Sequence, residues 1–395
     1  MGAPRRFSAT TFEQLGHHDR AIMRLLRDLG PCSRTTLAAE MEVSSTTITK
    51  TVAPLIARGY IEEQVTAAET RVGRPAIPLA AVPDAATVCG VQLGVGVVNL
   101  GLTNARAETL TEDSFAFDPA TDPTVVLDKV TTAIEKLLAE AESAPCLAIG
   151  VAAPGPVDTK RRTNLMSVHL GWRHVPIADL LEARLNIPVF VDHNVRAMAL
   201  AETLYGRHDV RDLAYVHIKT GLGLGLVLDR KPFYAGIHGL SELGHVRAVS
   251  SGRTCACGAR GCLETVVSET SLLDSAIGAG IMPQDGAPPT SPLAVVEALA
   301  AAGDDAARRI RAELVQHLAA ALANVVNLFN PQLILLGGMF EAASESLMDD
   351  VHAATRSAVY PVLRDEFRIR RPSLRTPGVV GGAALALEEV FYGSR

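Results

Sequence analysis

His245, Cys255, Cys257 and Cys262 stand in the pattern His-x9-Cys-x-Cys-x4-Cys, which brings three thiols and an imidazole together in one short stretch. Four such soft or borderline donors can close a tetrahedron around zinc and leave no coordination position for a substrate, so the pattern points to a structural Zn2+ site. Reduced free thiols, or a disulfide, are the alternatives; Cys255 and Cys257, one residue apart, would pair under strain. A second stretch, VFVDHNVRAMALAE from Val189 to Glu202, begins as a buried strand and sets Asp192, His193 and Asn194 in a row before turning helical. Those groups suit the lip of an active site, a binding site without chemistry, or a polar helix cap.

Such residues need a frame to position them. Apolar strands at 88–103, 147–151, 189–191, 213–218, 225–228 and 332–336 alternate with helical stretches at 124–142, 195–206 and 306–329. That alternation predicts an α/β body with parallel-type crossovers. No internal repeat is evident in the sequence, and the Pro-rich segment 287–292 reads as an exposed loop.

The first 80 residues read differently. Ile22, Leu25, Leu26 and Leu29 follow the spacing of one helix face, and Gly30-Pro31 supply a stop. Ser33 can cap a second helix with Leu37, Ala38 and Met41 inward. A third runs from Ser45 to Arg58 with Ile48, Val52, Leu55 and Ile56 inward, which leaves Ser45, Thr46, Thr47, Thr49 and Lys50 on the outer face. That hydroxyl-rich, singly basic face suits base edges and phosphates in a major groove. Pro54 falls inside this helix and predicts a bend beyond those residues. A strand at 60–65 and a return strand at 76–79 complete a winged helix-turn-helix. Its wing tip carries Arg71, Gly73 and Arg74, and a narrow Gly-Arg-Pro loop can place a guanidinium in an AT-rich minor groove. The chain thus divides into a DNA-binding domain at 1–80, a linker at 81–87 and the body at 88–395.

Composition agrees with a DNA-facing head on a body that avoids polyanions. Residues 1–80 hold 10 Lys+Arg against 8 Asp+Glu, and the remainder 27 against 35. No uninterrupted apolar run nears the roughly 18 to 20 residues that span a bilayer, so no membrane partner is expected. MGAPRRFSATTFEQLG lacks the apolar stretch of a secretion signal, and a cytoplasmic protein is expected.

VAAPGPVD (Val151–Asp158), the junction at Val189–Glu202, KTGLGLGLVLD (Lys219–Asp229), SELGH (Ser241–His245) and CACGARGCLE (Cys255–Glu264) together resemble the repressor, open reading frame and kinase (ROK) family. The resemblance covers residues 88–395, and in ROK repressors a winged helix precedes that region. It implies a two-lobed sugar-kinase/hexokinase/actin-like body with sugar bound in the cleft. It points to the same four zinc ligands, in a loop that fixes the sugar contacts Glu242, His245 and Glu264.

The resemblance also marks departures. A ROK kinase needs a carboxylate at the strand-to-helix junction to take the proton of the attacking hydroxyl. Aligned on Val191, that position is Asn194, whose amide can hydrogen-bond a hydroxyl but cannot take its proton. Gln92-Leu93-Gly94-Val95-Gly96 stands where similar kinases open their phosphate loop with an Asp. Thr220–Gly225 keeps the glycine run of the second phosphate loop, though such a run is equally a strand turn, and Lys219 stands where Gly is usual. His169 and His193 occupy positions held by Asn in similar sugar-binding proteins, so sugar contacts are expected at His169, His193 and Asn194 in altered form.

The expectation is a sequence-specific transcriptional regulator, a repressor, controlled by a sugar or sugar derivative in a catalytically inactive cleft. Its partners would be an inverted-repeat DNA operator with AT-rich flanks and further copies of the chain, as a homodimer or homotetramer. An active ATP-dependent sugar kinase with a regulatory DNA-binding head is the alternative, and a vestigial cleft with a protein effector is a third.

Overall fold

A computed structural model of the chain describes residues 15–64, 77–141, 145–160, 162–236, 239, 241–284 and 291–393. The wing tip with Arg71, Gly73 and Arg74, and most of the Pro-rich segment, lie outside the described residues. Pro292 opens a helix and is buried.

In the head, α1 (His17–Leu29), α2 (Arg34–Glu40) and α3 (Ser45–Ala57) pack around Ile22, Met23, Leu26, Leu37, Ile48, Val52 and Leu55. Leu29, expected inside, is 50% exposed, because the chain turns away at Gly30. Ser33 and Ser44 cap α2 and α3 by accepting from the Thr36 and Thr47 amides, each at 3.1 Å. α3 runs through Pro54 without interruption, its ring exposed and two turns beyond the first residues of the helix. β1 (Ile61–Glu63) pairs antiparallel with β2 (Leu79–Ala81). The return strand therefore begins at the residue where strand periodicity would end it. Leu79 is fully buried, and its amide and carbonyl both bond to Cys32, at 2.8 and 3.1 Å, which fixes this register.

The body holds two five-stranded sheets. The first contains β3 (Thr87–Leu93), β4 (Val97–Asn104) and β5 (Thr109–Ala116) as an antiparallel meander. After α4 (Pro123–Glu140), β6 (Cys146–Ala153) joins β3 in parallel. A small sheet of β7 (Val157–Asp158), β8 (Thr163–Ser167) and β9 (Trp172–Val175) and helix α5 (Ile177–Leu185) follow. Then β10 (Val189–His193) adds in parallel to β6, and α6 (Asn194–Tyr205) leaves from its end.

The second sheet repeats the plan. β11 (Leu213–Ile218), β12 (Leu222–Leu228) and β13 (Lys231–Pro232) form the meander. After α7 (Glu264–Val267), α8 (Glu269–Gly278), α9 (Pro292–Ala301) and α10 (Asp305–Phe329), β14 (Leu333–Gly338) pairs in parallel with β11. α11 (Glu345–Ala358) leads to β15 (Arg368–Arg370), parallel to β14. The orders β5-β4-β3-β6-β10 and β13-β12-β11-β14-β15 are one topology used twice, an internal repeat that side-chain identities conceal. α10 is long and apolar enough to cross a membrane by length and composition, but half of its apolar window is buried within this lobe.

The chain ends by returning to the first lobe. α12 (Pro377–Leu387) is buried along its whole length and packs on β3, β6 and α6. A final wide turn, Glu388–Tyr392, carries Phe391 and Tyr392 into the same apolar cluster as the head core. Arg24 donates to the carbonyls of Tyr392 and Gly393 at 2.7 and 2.8 Å, and Arg27 pairs with Glu388 while lying 4.5 Å over the Tyr392 ring. The head is thus clamped by the C-terminal segment as well as joined through residues 82–86, between β2 and β3.

Candidate functional site

A cavity of about 990 Å³ lies between the lobes. It is lined by His169, His193, Asn194, Glu242, His245 and Glu264, so all six cleft residues expected from sequence meet there. His193 and Asn194 arrive at the β10-to-α6 junction. Glu264 opens α7, directly after the cysteine loop, and His169 approaches it from the first lobe.

Backbone economy lets these groups converge. A Cβ at Gly221 would fall 2.8 Å from Glu264 Oε2 and 3.0 Å from His169 Nε2; one at Gly223 would fall 2.5 Å from Val195 Cγ2. Glycine here lets the β11–β12 turn touch both the carboxylate and the start of α6. The run read as a possible phosphate loop is largely strand β12.

Glu264 accepts a hydrogen bond from the Leu222 amide at 3.0 Å, and its other oxygen lies 3.2 Å from His169 Nε2. The two atoms approach closely without meeting linear hydrogen-bond geometry. Burial opposes the charge on Glu264, but His169 and the Leu222 amide outweigh it and its pKa is lowered; His169 is raised in turn by Glu264. Burial raises Glu242, which still keeps an open face to the cleft. One carboxylate is therefore held charged and the other biased toward the proton, a mixed set of acceptors and donors that suits hydroxyl groups.

Asp192, the one carboxylate near Asn194 on β10, is fully engaged. Its oxygens accept from the His193 amide at 2.7 Å, the Tyr234 hydroxyl at 3.0 Å and Arg196 Nε at 3.1 Å. Arg196 Nη2 makes a further contact, and its guanidinium stacks 4.3 Å from the Tyr234 ring. Asn194 bends its Oδ1 onto the Val195 amide at 2.8 Å.

Burial, then Arg196, pushes His193 down to about 4, so it is neutral at physiological pH. An unfolded histidine, near 6.5, takes up its proton first as pH falls. Stability should therefore be intact above about 6.5 and decline as pH drops toward about 4. Denaturant midpoints measured across this range should fall for the wild type, and His193→Gln should flatten the profile; an unchanged slope in the variant would refute the assignment.

The cysteine loop folds onto the same cavity. The ligand atoms of His245, Cys255, Cys257 and Cys262 all lie within 4.8 Å of one another. Cys257 and Cys262 sulfurs are 3.8 Å apart, and Cys255 Sγ is 3.6 Å from His245 Nδ1. A zinc–sulfur bond of about 2.3 Å gives a tetrahedral edge of about 3.8 Å, so the spacing fits a four-coordinate metal. No pair is bonded as a disulfide. His245 Nδ1 faces the thiols while Nε2 turns toward Glu242, 4.0 Å from Oε2. One imidazole faces both the thiol cluster and the cleft.

On the head, Ser45, Thr46, Thr49 and Lys50 are exposed along the first turns of α3. Thr47 is the exception: half-buried, its hydroxyl lies 2.9 Å from the capping Ser44 hydroxyl. His217 is a cleft residue that sequence reasoning misses. Its one signal is a lone polar side chain in the apolar run LAYVHI.

A winged-helix head seated on a two-lobed kinase-like body has the architecture of a DNA-binding regulator built on a sugar-kinase scaffold. Residues 88–389 match the ROK family and residues 19–64 the MarR family, and the chain belongs to the ROK family. It is 28% identical over 395 residues to the DNA-binding transcriptional repressor Mlc of Escherichia coli strain K12, covering 96% of this chain and 97% of that one. It is 26% identical to the xylose repressor of Caldicellulosiruptor bescii, covering 91% and 92%. The crystal structure of a ROK family transcriptional regulator homologous to E. coli Mlc superposes with a TM-score of 0.79 at 29% identity, covering 95% and 97%. A ROK family glucokinase from Streptomyces griseus, in complex with glucose and AMPPNP, gives 0.66 at 27% identity over 76% of this chain and 99% of that one.

Proposed function

We propose that the chain is a sequence-specific repressor whose hold on its operator is set by a sugar or sugar derivative in the interlobe cleft. The observation that carries this is the cleft itself: it gathers hydroxyl-matching groups but offers no free base at the β10-to-α6 junction. Asn194 takes the position of the kinase base, and Asp192 is committed to Arg196 and Tyr234. Phosphoryl transfer therefore lacks its proton acceptor. With glucose, N-acetylglucosamine or xylose and ATP, a coupled assay should show no turnover above background. Turnover abolished by Asp192→Asn would establish the kinase reading instead.

Zn2+ in the His245, Cys255, Cys257 and Cys262 cluster supports the cleft by fixing the loop between Glu242 and Glu264. Sugar binding favours one arrangement of the lobes. α12, packed on β3, β6 and α6 and continuous with the turn that grips the head, supplies the mechanical link. Heads paired in a dimer or tetramer would read an inverted repeat, because one head covers too few bases for selectivity. The setting is the cytoplasm, where operator and sugar meet.

For the head, Lys50→Ala should weaken binding broadly, with roughly one unit less salt dependence, as loss of one phosphate contact requires. Arg74→Ala should cost most on AT-rich flanks. Fluorescence anisotropy on AT-rich and GC-rich duplexes separates the two, and equal losses for Arg74→Ala would remove the minor-groove role.

A further inference from the structure

The chain passes between the lobes twice, outward through α6 and residues 206–212 into β11, and back through residues 371–376 from β15 into α12. α6 starts at the cleft, where Asn194 and Val195 line the cavity, and packs on α12 and on strands of both sheets. A helix of its length spans about 18 Å. At its far end the two crossings meet.

Glu202 joins them there. It is fully buried, and its Oε1 accepts from the Ser373 and Leu374 amides, each at 2.9 Å. Oε2 accepts from the Ser373 hydroxyl at 2.8 Å and from His208 Nε2 at 2.7 Å. The Arg207 amide donates to the same hydroxyl at 3.1 Å, a further bond between the two segments. His208 Nδ1 is buried without a hydrogen-bond partner among the described residues, which leaves Glu202 to orient that ring. A Cβ at Gly206 would fall 2.3 Å from Glu202 O and 2.6 Å from its Oε2, so glycine lets the chain fold back over the carboxylate. A buried carboxylate needs its donors in place, so the two crossings must turn together about Glu202 or break its bonds.

The same end of α6 meets the head. Arg27 of α1 lies 6.0 Å over the Tyr205 ring, and Leu204, Tyr205 and Leu374 pack against the apolar cluster that contains the head core, Phe391 and Tyr392. One helix thus begins at the cleft and ends on the head, with Glu202 one turn before that contact. The partners of Glu202, namely Ser373, Leu374 and His208, belong to neither the cavity wall nor the head.

We propose that Glu202 is the positioning residue of the interlobe hinge, tying both crossings into one joint so that rotation of the lobes is delivered to the head through Tyr205 and Leu374. The proposal rests on the reading of the cleft as the effector site and adds the route by which its occupancy reaches the operator.

The test uses the full-length protein and two variants. Ser373→Ala removes the hydroxyl shared by Glu202 and Arg207 but keeps the carboxylate and both amide bonds to it; Glu202→Ala removes the joint. In hydrogen exchange of the unliganded proteins, α1 should exchange faster in both variants, most in Glu202→Ala, while α10 stays as protected as in the wild type. Titration of a selected operator duplex with and without glucose, N-acetylglucosamine or xylose should show a coupling of about 5- to 150-fold in the wild type, and about threefold or more below that in Ser373→Ala. Faster exchange confined to residues 202–208 and 371–376 would reduce the joint to a local bond, and wild-type coupling in Ser373→Ala would place the route elsewhere; either overturns the proposal. If the wild type binds none of the three sugars, the sugar reading fails, and exchange at α1 alone upholds or overturns the hinge. Should Glu202→Ala not fold, Ser373→Ala decides by the same two readouts.

Discussion

Cys262→Ser is expected to yield protein that has lost its metal, its ordered cysteine loop and its sugar affinity together. The serine hydroxyl does not ionise near neutrality, so a tetrahedral set of three thiolates and one imidazole is left one ligand short. Structural zinc contributes apparent binding energies of about 10 to 16 kcal/mol in small zinc-dependent peptides. A lobe with its own apolar core will feel only part of that, and a loss of a few kcal/mol corresponds to a fall of about 5 °C or more in the melting temperature. The effect reaches the cleft because His245 contributes one nitrogen to the cluster and the other to the side facing Glu242. Elemental analysis should find about one zinc per wild-type chain and close to none in the variant. A full complement of metal in Cys262→Ser, or an unchanged melting temperature, would refute the site.

Glu388→Ala is expected to loosen the head from the body. The Arg27 side chain is 7% exposed and Glu388 5%, so truncating the acid leaves a buried guanidinium with only its neighbour Asp28 as a carboxylate partner among the described residues. Burial disfavours the Arg27 charge, and Glu388, Tyr205 and Asp28 together more than restore it. Breaking such a pair costs about 3 to 5 kcal/mol, whereas replacing both partners with apolar groups of similar size is often neutral. Hydrogen exchange across α1 and β1 should rise in Glu388→Ala, operator affinity should fall, and Arg27→Met with Glu388→Leu should recover most of the packing. Protection equal to the wild type in the single variant would show that the clamp is not energetically significant.

Short-range signals make much of this molecule legible in its sequence. Ser33 and Ser44 announce their helices because a cap is a local bond, and the four residues of the His/Cys cluster sit close along the chain. The six cleft residues are legible only through motif resemblance; the spacing of Glu242, Asn194 and His169 along the chain says nothing of a shared cavity. The twofold sheet topology is hidden because hydrogen-bond order does not require similar side chains. The docking of the head is equally hidden, since Arg27 and Glu388 are ordinary surface residue types until 361 residues of chain bring them together. The later start of β2 depends on a contact with Cys32, which strand periodicity cannot see.

The most direct measurement is selection of genomic fragments by the purified protein at near-physiological salt, followed by sequencing. Enrichment of an inverted repeat with AT-rich flanks, lost when Lys50→Ala protein is used, is the predicted result. Recovery of no sequence above background, from protein that binds its metal and remains folded, would contradict the reading of this chain as a repressor.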